Sequence, residues 1–449
     1  QIEDVTPKPF NVRSGVHEYG GGAFTVHQGV VYFINFEDQG IYRQDFGESP
    51  QSLAVTADVR YADLLVDAQR QRLIAVCEDH RGSGESQNSL IAIDLNDQTG
   101  RQETIASGAD FYASPTLSPD GNRLAWLRWN HPNMPWDGTE LWLADIQADG
   151  NITTKQCVAG GVDESVFQPQ WGPDGKLYYV SDRSGWWNLY VWDTGENRAL
   201  LPMEAEFGLP QWVFGMSTYG FSNDGSIICS YRQNGISSLL RLNPTDGDQQ
   251  SLQVPYTDID GVRCLDQRVV FHGGSASAAD AIVALDLSAD ASTDAIALRQ
   301  SSNVTIATDY ISIPEPIEFP TSGERSAYAF YYAPKNNNFQ APADEKPPLL
   351  VKSHGGPTAS TSAMFNLGIQ YWTSRGFAVV DVNYGGSTGY GRRYHQQLDG
   401  TWGIVDVDDC VAAAEYLINS GRADAKRCGI RGNSAGGYTT LAALAFRDL

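Results

Sequence analysis

No run of apolar residues in this sequence approaches the ~18 needed to cross a bilayer as a helix. No basic, apolar, small-residue segment opens it either. A cytoplasmic location is the default expectation, although the first residue is Gln rather than Met, which leaves an already removed export signal open. Basic side chains are scarce: 31 Lys and Arg stand against 54 Asp and Glu, a net charge of −23. That balance argues against a nucleic-acid partner, since phosphate backbones are bound by Lys and Arg. It suits solubility, and it would draw cationic groups toward any acidic cavity. Cysteines are few and scattered, at positions 77, 157, 229, 264, 410 and 428, with no C-x-x-C pair and no metal-ligand spacing. Neither a metal nor a cofactor is expected, and buried thiols in a reducing compartment account for the six.

What the sequence does have is a repeated phrase. A turn rich in Asp and Gly is followed by a strand, a loop and a second strand that often ends in Asp. Copies run from Val66-Asp67 through RLIAV and LIAIDL, and from Ser118-Pro119-Asp120-Gly121 through RLAWLRW and ELWLADI. Others start at Gly172-Pro173-Asp174-Gly175, Ser222-Asn223-Asp224-Gly225 and Cys264-Leu265-Asp266, and a weaker first copy starts at Gln28-Gly29. Successive turn aspartates lie 53, 54, 50 and 42 residues apart. A period of roughly 40–55 residues with about four short strands per copy is the mark of β-propeller blades. A sandwich alternates strands too, but does not repeat one phrase. Six blades are expected, with a seventh either upstream of Gln1 or closed by the stretch near 287–303.

From about residue 304 the rhythm changes. Apolar strands PPLLVKSHGG, FAVVDVNYGG and RCGIRGNSAGG alternate with helical stretches, one of them VDVDDCVAAAEYLINSG. Buried strands alternating with helices predict a parallel α/β sheet. The expected organisation is therefore a propeller over 1–303 and an α/β domain over 304–449.

Gly432-Asn433-Ser434-Ala435-Gly436 fits G-x-S-x-G, between a strand signal and the helix signal YTTLAALAF. A turn that sharp requires small neighbours and lifts the serine hydroxyl to the carboxyl edge of the sheet. Ser434 is the candidate nucleophile. Acyl transfer also needs two donors for the developing oxyanion. The Ala435 N–H supplies one, and the Gly-rich segment His354-Gly355-Gly356-Pro357 supplies the other, most simply from Gly356. His354 and Gly355 are read as support for that loop. The glycines of 385–391 lack the Lys-Ser/Thr of a P-loop and are read as a loop bordering the site. Asp406, Asp408 and Asp409 are read as acids favoured at a helix start, not as metal ligands.

Taken together, HGGP at 354–357, VNYGGSTGYG at 382–391, WGIVDVDDCVAAAEYL at 402–417 and GNSAGGY at 432–438 resemble the prolyl oligopeptidase family. The likeness is to its acylaminoacyl-peptidase and dipeptidyl-aminopeptidase branch. In the first half, VHEYGGGAF at 16–24 and EFGLPQWVFG at 206–215 are similar to that branch as well. The resemblance implies a β-propeller capping an α/β-hydrolase domain and a serine exopeptidase acting on short peptides through an acyl-enzyme. It implies that propeller carboxylates bind a free amino terminus, with Glu18, Glu204 and Glu206 as candidates. Trp186, Trp187, Trp212 and Tyr219 could line an apolar pocket, although packing between blades suits most of them better.

The order expected in this fold is Ser, then Asp, then His. All seven histidines precede Ser434, and Asp448 is the only later carboxylate. The triad Asp and His are therefore expected beyond residue 449, the chain being read as a fragment that stops after the elbow helix. Amino-, dipeptidyl- and acylaminoacyl-peptidase activities stay open. So do an esterase of the same fold, an inactive propeller binding module and homo-oligomerisation.

Overall fold

In the computed structural model, residues 3–96, 99–288 and 295–448 are described. They form two compact units. The first comprises residues 1–184, 188–202 and 208–217; the second comprises 185–187, 203–207 and 218–449. The division falls inside the run of blades, so the last two blades group with the α/β sheet rather than separating from it at residue 304.

Six four-stranded antiparallel meanders follow one another over 24–54, 59–106, 111–160, 166–199, 219–252 and 258–300. These are the propeller blades that the repeat predicts. The stretch 287–303 does not open a seventh among the described residues: Ile296–Gln300 is the outer strand of the sixth sheet, and residues 289–294 lie outside the described residues.

Each blade is held by its two faces. Along Arg72–Asp79, side chains alternate between sides with period two. Leu73, Ala75 and Cys77 pack with Ile34, Ile41 and other residues of the first blade. Ile74 and Val76 pack with Leu124 and Trp126 of the third. Arg123–Trp129 repeats the arrangement, sending Ala125 and Leu127 toward Leu177 and Tyr179 of the fourth. Strands buried on both faces read as continuous apolar runs, which is why RLIAV and RLAWLRW lack polar alternation. The Asp turns close the hairpins. Asp224 accepts from the Ser222 hydroxyl and the Ser226 N–H, which holds its carboxyl below the usual range, and Gly225 takes φ 82°.

The second unit also carries a five-stranded sheet. Its strands are β1 (Glu315–Thr321), β2 (Arg325–Tyr332), β3 (Leu349–Ser353), β4 (Ala378–Asn383) and β5 (Cys428–Gly432), in spatial order β1-β2-β4-β3-β5. β3 pairs in parallel with both β4 and β5, while β1 and β2 form an antiparallel hairpin on the far edge. The sheet is therefore mixed, parallel where the serine sits. Helix α1 (Leu367–Thr373) lies between β3 and β4 in sequence, α2 (Val405–Asn419) between β4 and β5, and α3 (Ala435–Phe446) follows β5. The sheet core gathers Val351, Val380 and Val382 against Ala413, Ala414 and Leu417 of α2. Blades five and six abut this sheet inside the unit: Phe365 N–H donates to Ser275 O at 2.7 Å, and Arg232 reaches Ser360 at 2.9 Å. Among the described residues, no helix is long and apolar enough to cross a membrane.

The sixth blade carries a pH-sensitive contact. His272 sits opposite Asp260 in the strand register, with its ring nitrogens 3.3 Å from Asp260 and 2.7 Å from Asp280. The hydrogen bond to Asp260, with help from Asp280, raises the imidazole to about 9. A group whose folded pKa lies above its unfolded value of 6.5 gives stability that is complete below the unfolded value. That stability is lost as pH rises through the folded value. The urea midpoint should therefore fall between pH 6.5 and 9.5, and His272→Asn should flatten that fall. Parallel pH dependences for the two proteins would remove the assignment.

Candidate active site

β5 ends at Gly432 and α3 begins at Ala435, leaving two residues to reverse the chain. Ser434 takes φ 53° and ψ −126°, a conformation that an L-residue adopts at a cost of about 1–3 kcal/mol. The surroundings impose it. A Cβ on Gly432 would fall 2.2 Å from Gly436 O, and one on Gly436 would fall 2.2 Å from Ser353 O. Backbone therefore packs on backbone at both flanks, and the hydroxyl stands at the amino end of a twelve-residue helix. Ser353, the last residue of β3, fastens the turn from beneath by donating to Gly436 O at 2.8 Å.

The HGGP segment continues from the same strand end. A Cβ on Gly355 would lie 3.2 Å from Ser434 Cβ and 3.1 Å from Asn433 O, so this segment touches the elbow directly. Gly356 has φ 128°, where side chains are disfavoured. Ala435 opens α3, so its N–H has no acceptor within the helix. Two stretches of glycine-permitted backbone thus meet beside one hydroxyl, in a form suited to holding an oxyanion.

His354 does not approach as a base. Its ring stacks on Tyr384 with centroids 4.2 Å apart, one nitrogen lies 2.8 Å from Ser387 Oγ and the other 2.8 Å from Gly355 O. Burial pushes its pKa down, so it is neutral at pH 7. The Tyr384 hydroxyl donates to His354 O at 2.9 Å. These contacts tie the ring and carbonyl of His354 to neighbouring loop residues.

The aspartates of α2 act as ties. Asp409, fully buried, accepts from Gly385 N–H at 2.7 Å, pairs with Arg325 at 3.0 Å and takes the Thr321 hydroxyl at 2.6 Å. Asp406, also fully buried, accepts from Gly403 N–H and from Thr439 in the elbow helix. Placement in the first helical turn covers only part of this. Their spacing gave no hint that each would fix a loop of the site. Among the described residues, no three His, Cys, Asp or Glu side chains gather as a metal would require.

The three carboxylates proposed from sequence are placed differently. Glu206 is buried, with Oε1 accepting from Gly391 N–H and Oε2 from Trp187 N–H, each at 2.9 Å. Glu204 is exposed, and its carbonyl accepts from Gln233 at 3.2 Å. Glu18, in the first unit, is exposed and pairs with Arg60 at 2.8 Å, which lowers its pKa. Trp187 and Tyr219 are buried, while Trp212 lines a cavity of the first unit. Sequence reasoning missed Glu78 on that cavity; nothing in VCEDHRG distinguishes its Glu from an ordinary strand-end charge.

Known proteins share this architecture. A crystal structure described as puromycin hydrolase is 35% identical with a TM-score of 0.92, covering 99% of this chain and 70% of that one. A puromycin-hydrolysing peptidase from Mycobacterium tuberculosis is 37% identical at the same TM-score and the same coverage. The chain belongs to the prolyl oligopeptidase family. The family's own sequence profile matches residues 363–449. Dipeptidyl aminopeptidase BIII of Pseudoxanthomonas mexicana is 32% identical over 133 residues, which are 29% of this chain and 19% of that protein. The chain thus spans about a fifth of that curated relative and 70% of the two puromycin-hydrolysing chains.

The elbow glycines give a direct check. Gly436→Ala forces a methyl group onto Ser353 O, and overpacking of this kind costs about 1–3 kcal/mol. Chemical denaturation should show at least that loss, whereas Gly437→Ala, whose Cβ would keep 3.7 Å from Gly432 O, should change stability far less. Equal effects at the two positions would contradict the backbone-on-backbone packing.

Proposed function

We propose that this chain carries the nucleophile and oxyanion site of a serine exopeptidase that cleaves short peptides or similar small amides. The observation that carries the reading is the backbone of Ser434, held at positive φ at the amino end of α3 with the Gly355–Gly356 segment packed against it.

In this mechanism, Ser434 Oγ attacks the scissile carbonyl as a base removes its proton. The tetrahedral oxyanion is held by the N–H groups of Ala435 and Gly356, and the helix amino terminus adds favourable potential. Collapse expels the amine and leaves an acyl-enzyme, which water then hydrolyses. His354 is committed to its loop, so another group serves as the base.

Two of the similar folds are named for puromycin, an amide of an amino acid with a free amine. That supports a substrate with an unblocked amino terminus, for which Glu18 and Glu204 remain the exposed carboxylate candidates. The family alone does not separate amide from ester cleavage, because one acyl-enzyme serves both.

On the intact gene product, a fluorophosphonate probe should label Ser434. Ser434→Ala should lose both the label and at least about 10⁴-fold in hydrolysis of an aminoacyl-nitroanilide and of puromycin. Turnover of nitrophenyl esters alone would replace the peptidase reading with an esterase. Absence of labelling would replace it with a binding module.

A further inference from the structure

Blade five meets the α/β sheet through the hairpin of Ile227–Gln233 and Ile236–Leu242. Near the tip of that hairpin, Arg232 has three attachments. Its backbone exchanges two hydrogen bonds with the backbone of Glu206, N–H to carbonyl in both directions, each 2.9 Å. Its Nη2 pairs with Asp258 at the start of blade six, where the two side chains are only 14% and 11% exposed. Its Nη1 donates to Ser360 Oγ at 2.9 Å. A nearly buried ion pair persists only where good geometry and further hydrogen bonds offset its desolvation, so the guanidinium is fixed rather than free to sweep. The stem is confined too, since a Cβ on Gly389 would lie 3.3 Å from Arg232 Cδ.

Ser360 closes the short turn that starts at Gly356. That turn is tight. Ala359 N–H donates to Pro357 O at 2.8 Å, and a Cβ on Gly356 would fall 2.8 Å from Thr358 N. A shift of Ser360 is therefore passed to Gly356 through few torsions. At its near end the segment is set by Gly355 against the elbow. At its far end Ala359 O accepts from Thr388 N–H at 2.9 Å, and Thr361 N–H donates to Asn383 Oδ1 at 2.7 Å. Asn383 Nδ2 donates in turn to the Tyr390 hydroxyl at 3.0 Å. The hairpin tip presses on the same tyrosine: a Cβ on Gly235 would lie 2.9 Å from its hydroxyl. Blade five thus reaches this segment by two routes, one through Arg232 and one through Tyr390.

We propose that Arg232 is a positioning residue of the acyl-transfer site: held by Asp258 and Glu206, it fixes Ser360 and, through it, the Gly356 N–H beside Ser434. The inference rests on the reading of Gly356 and Ala435 as the oxyanion donors. An ion pair that merely cemented blades five and six to the sheet would need Asp258 and not Ser360. Arginine suits both at once, because its planar fork offers one nitrogen to the carboxylate and another to the hydroxyl, where lysine brings a single ammonium. A displaced oxyanion donor loses part of a bond that is made only in the transition state, so kcat falls while KM stays. Blade five thereby acts on the chemical step from a distance.

The experiment uses the intact gene product and two readouts, the rate constant for fluorophosphonate labelling of Ser434 and the kcat and KM for alanyl-nitroanilide. The phosphoryl oxygen of the probe takes the oxyanion position, so its labelling rate reads the donors directly. Ser360→Ala and Arg232→Lys should each slow labelling and lower kcat about tenfold or more, with KM within about twofold of the original. Both changes remove one and the same hydrogen bond, so the double variant should be no slower than the slower single one. Arg241→Met, which breaks an ion pair with Asp224 at the other end of the hairpin, should leave both rates unchanged. Should Arg232→Lys fail to fold, Ser360→Ala, which removes a single hydroxyl, decides alone. Original rates in Ser360→Ala, or losses confined to KM or to the urea midpoint, would overturn the proposal, as would losses that multiply in the double variant. An unsubstituted protein that resists the probe would instead sink the catalytic reading on which this one rests.

Discussion

Everything around Ser434 depends on two places where no side chain fits and a third where one would be tight. Gly432 faces the carbonyl of Gly436, Gly436 faces the carbonyl of Ser353, and a Cβ on Gly355 would lie 3.2 Å from Ser434 Cβ. The first two are approaches of backbone to backbone, which cost nothing at glycine and are prohibitive elsewhere. The strained dihedrals of Ser434 follow from this packing, because the chain has no room to relax into an ordinary turn. Van der Waals exclusion therefore places the hydroxyl, and the helix amino terminus then gives that position its electrostatic character.

Loops so rich in glycine gain shape only from what holds them, and the second unit holds them with buried carboxylates. Asp409 fixes Gly385, Asp406 links Gly403 to Thr439, and Glu206 receives Gly391 and Trp187. Each accepts backbone N–H groups that would otherwise be buried without partners, and a carboxylate makes stronger bonds to them than a neutral acceptor would. The arrangement also explains why these acids sit where water is scarce. A charge is tolerated there when several donors surround it, and removing it would leave those donors unsatisfied.

The two layers of the chain were legible to different degrees. The blades could be counted from Asp67, Asp120, Asp174 and Asp224 because a turn residue repeats once per blade, and the elbow could be read from five residues because its steric demand is local. Glu206 and the α2 aspartates were legible as acids and not as ties, since their partners lie up to 185 positions away in sequence. The stretch near 287–303 was ambiguous for a related reason. A stretch such as Ile296–Gln300 has the composition of a strand wherever it pairs, and only the register with Ala281–Asp286 shows that it completes the sixth sheet. The boundary expected at residue 304 marks a change of secondary-structure rhythm, whereas compactness follows contacts, and blades five and six group with the α/β sheet.

The same distinction bears on the HEYGGG segment. Its glycines look like a flexible linker in composition, yet Gly20, Gly21 and Gly22 all sit in left-handed backbone with carbonyls or amides close by. Glycine there serves close approach rather than mobility, as at the elbow. A segment so confined presents His17 and Tyr19 in one geometry, so a ligand meeting those rings loses little to ordering the protein. Positive φ alone does not set this loop apart, since hairpin residues such as Gln28 and Asn234 adopt it as well; what distinguishes it is how closely its glycines meet the backbone of Ser14 and Phe214.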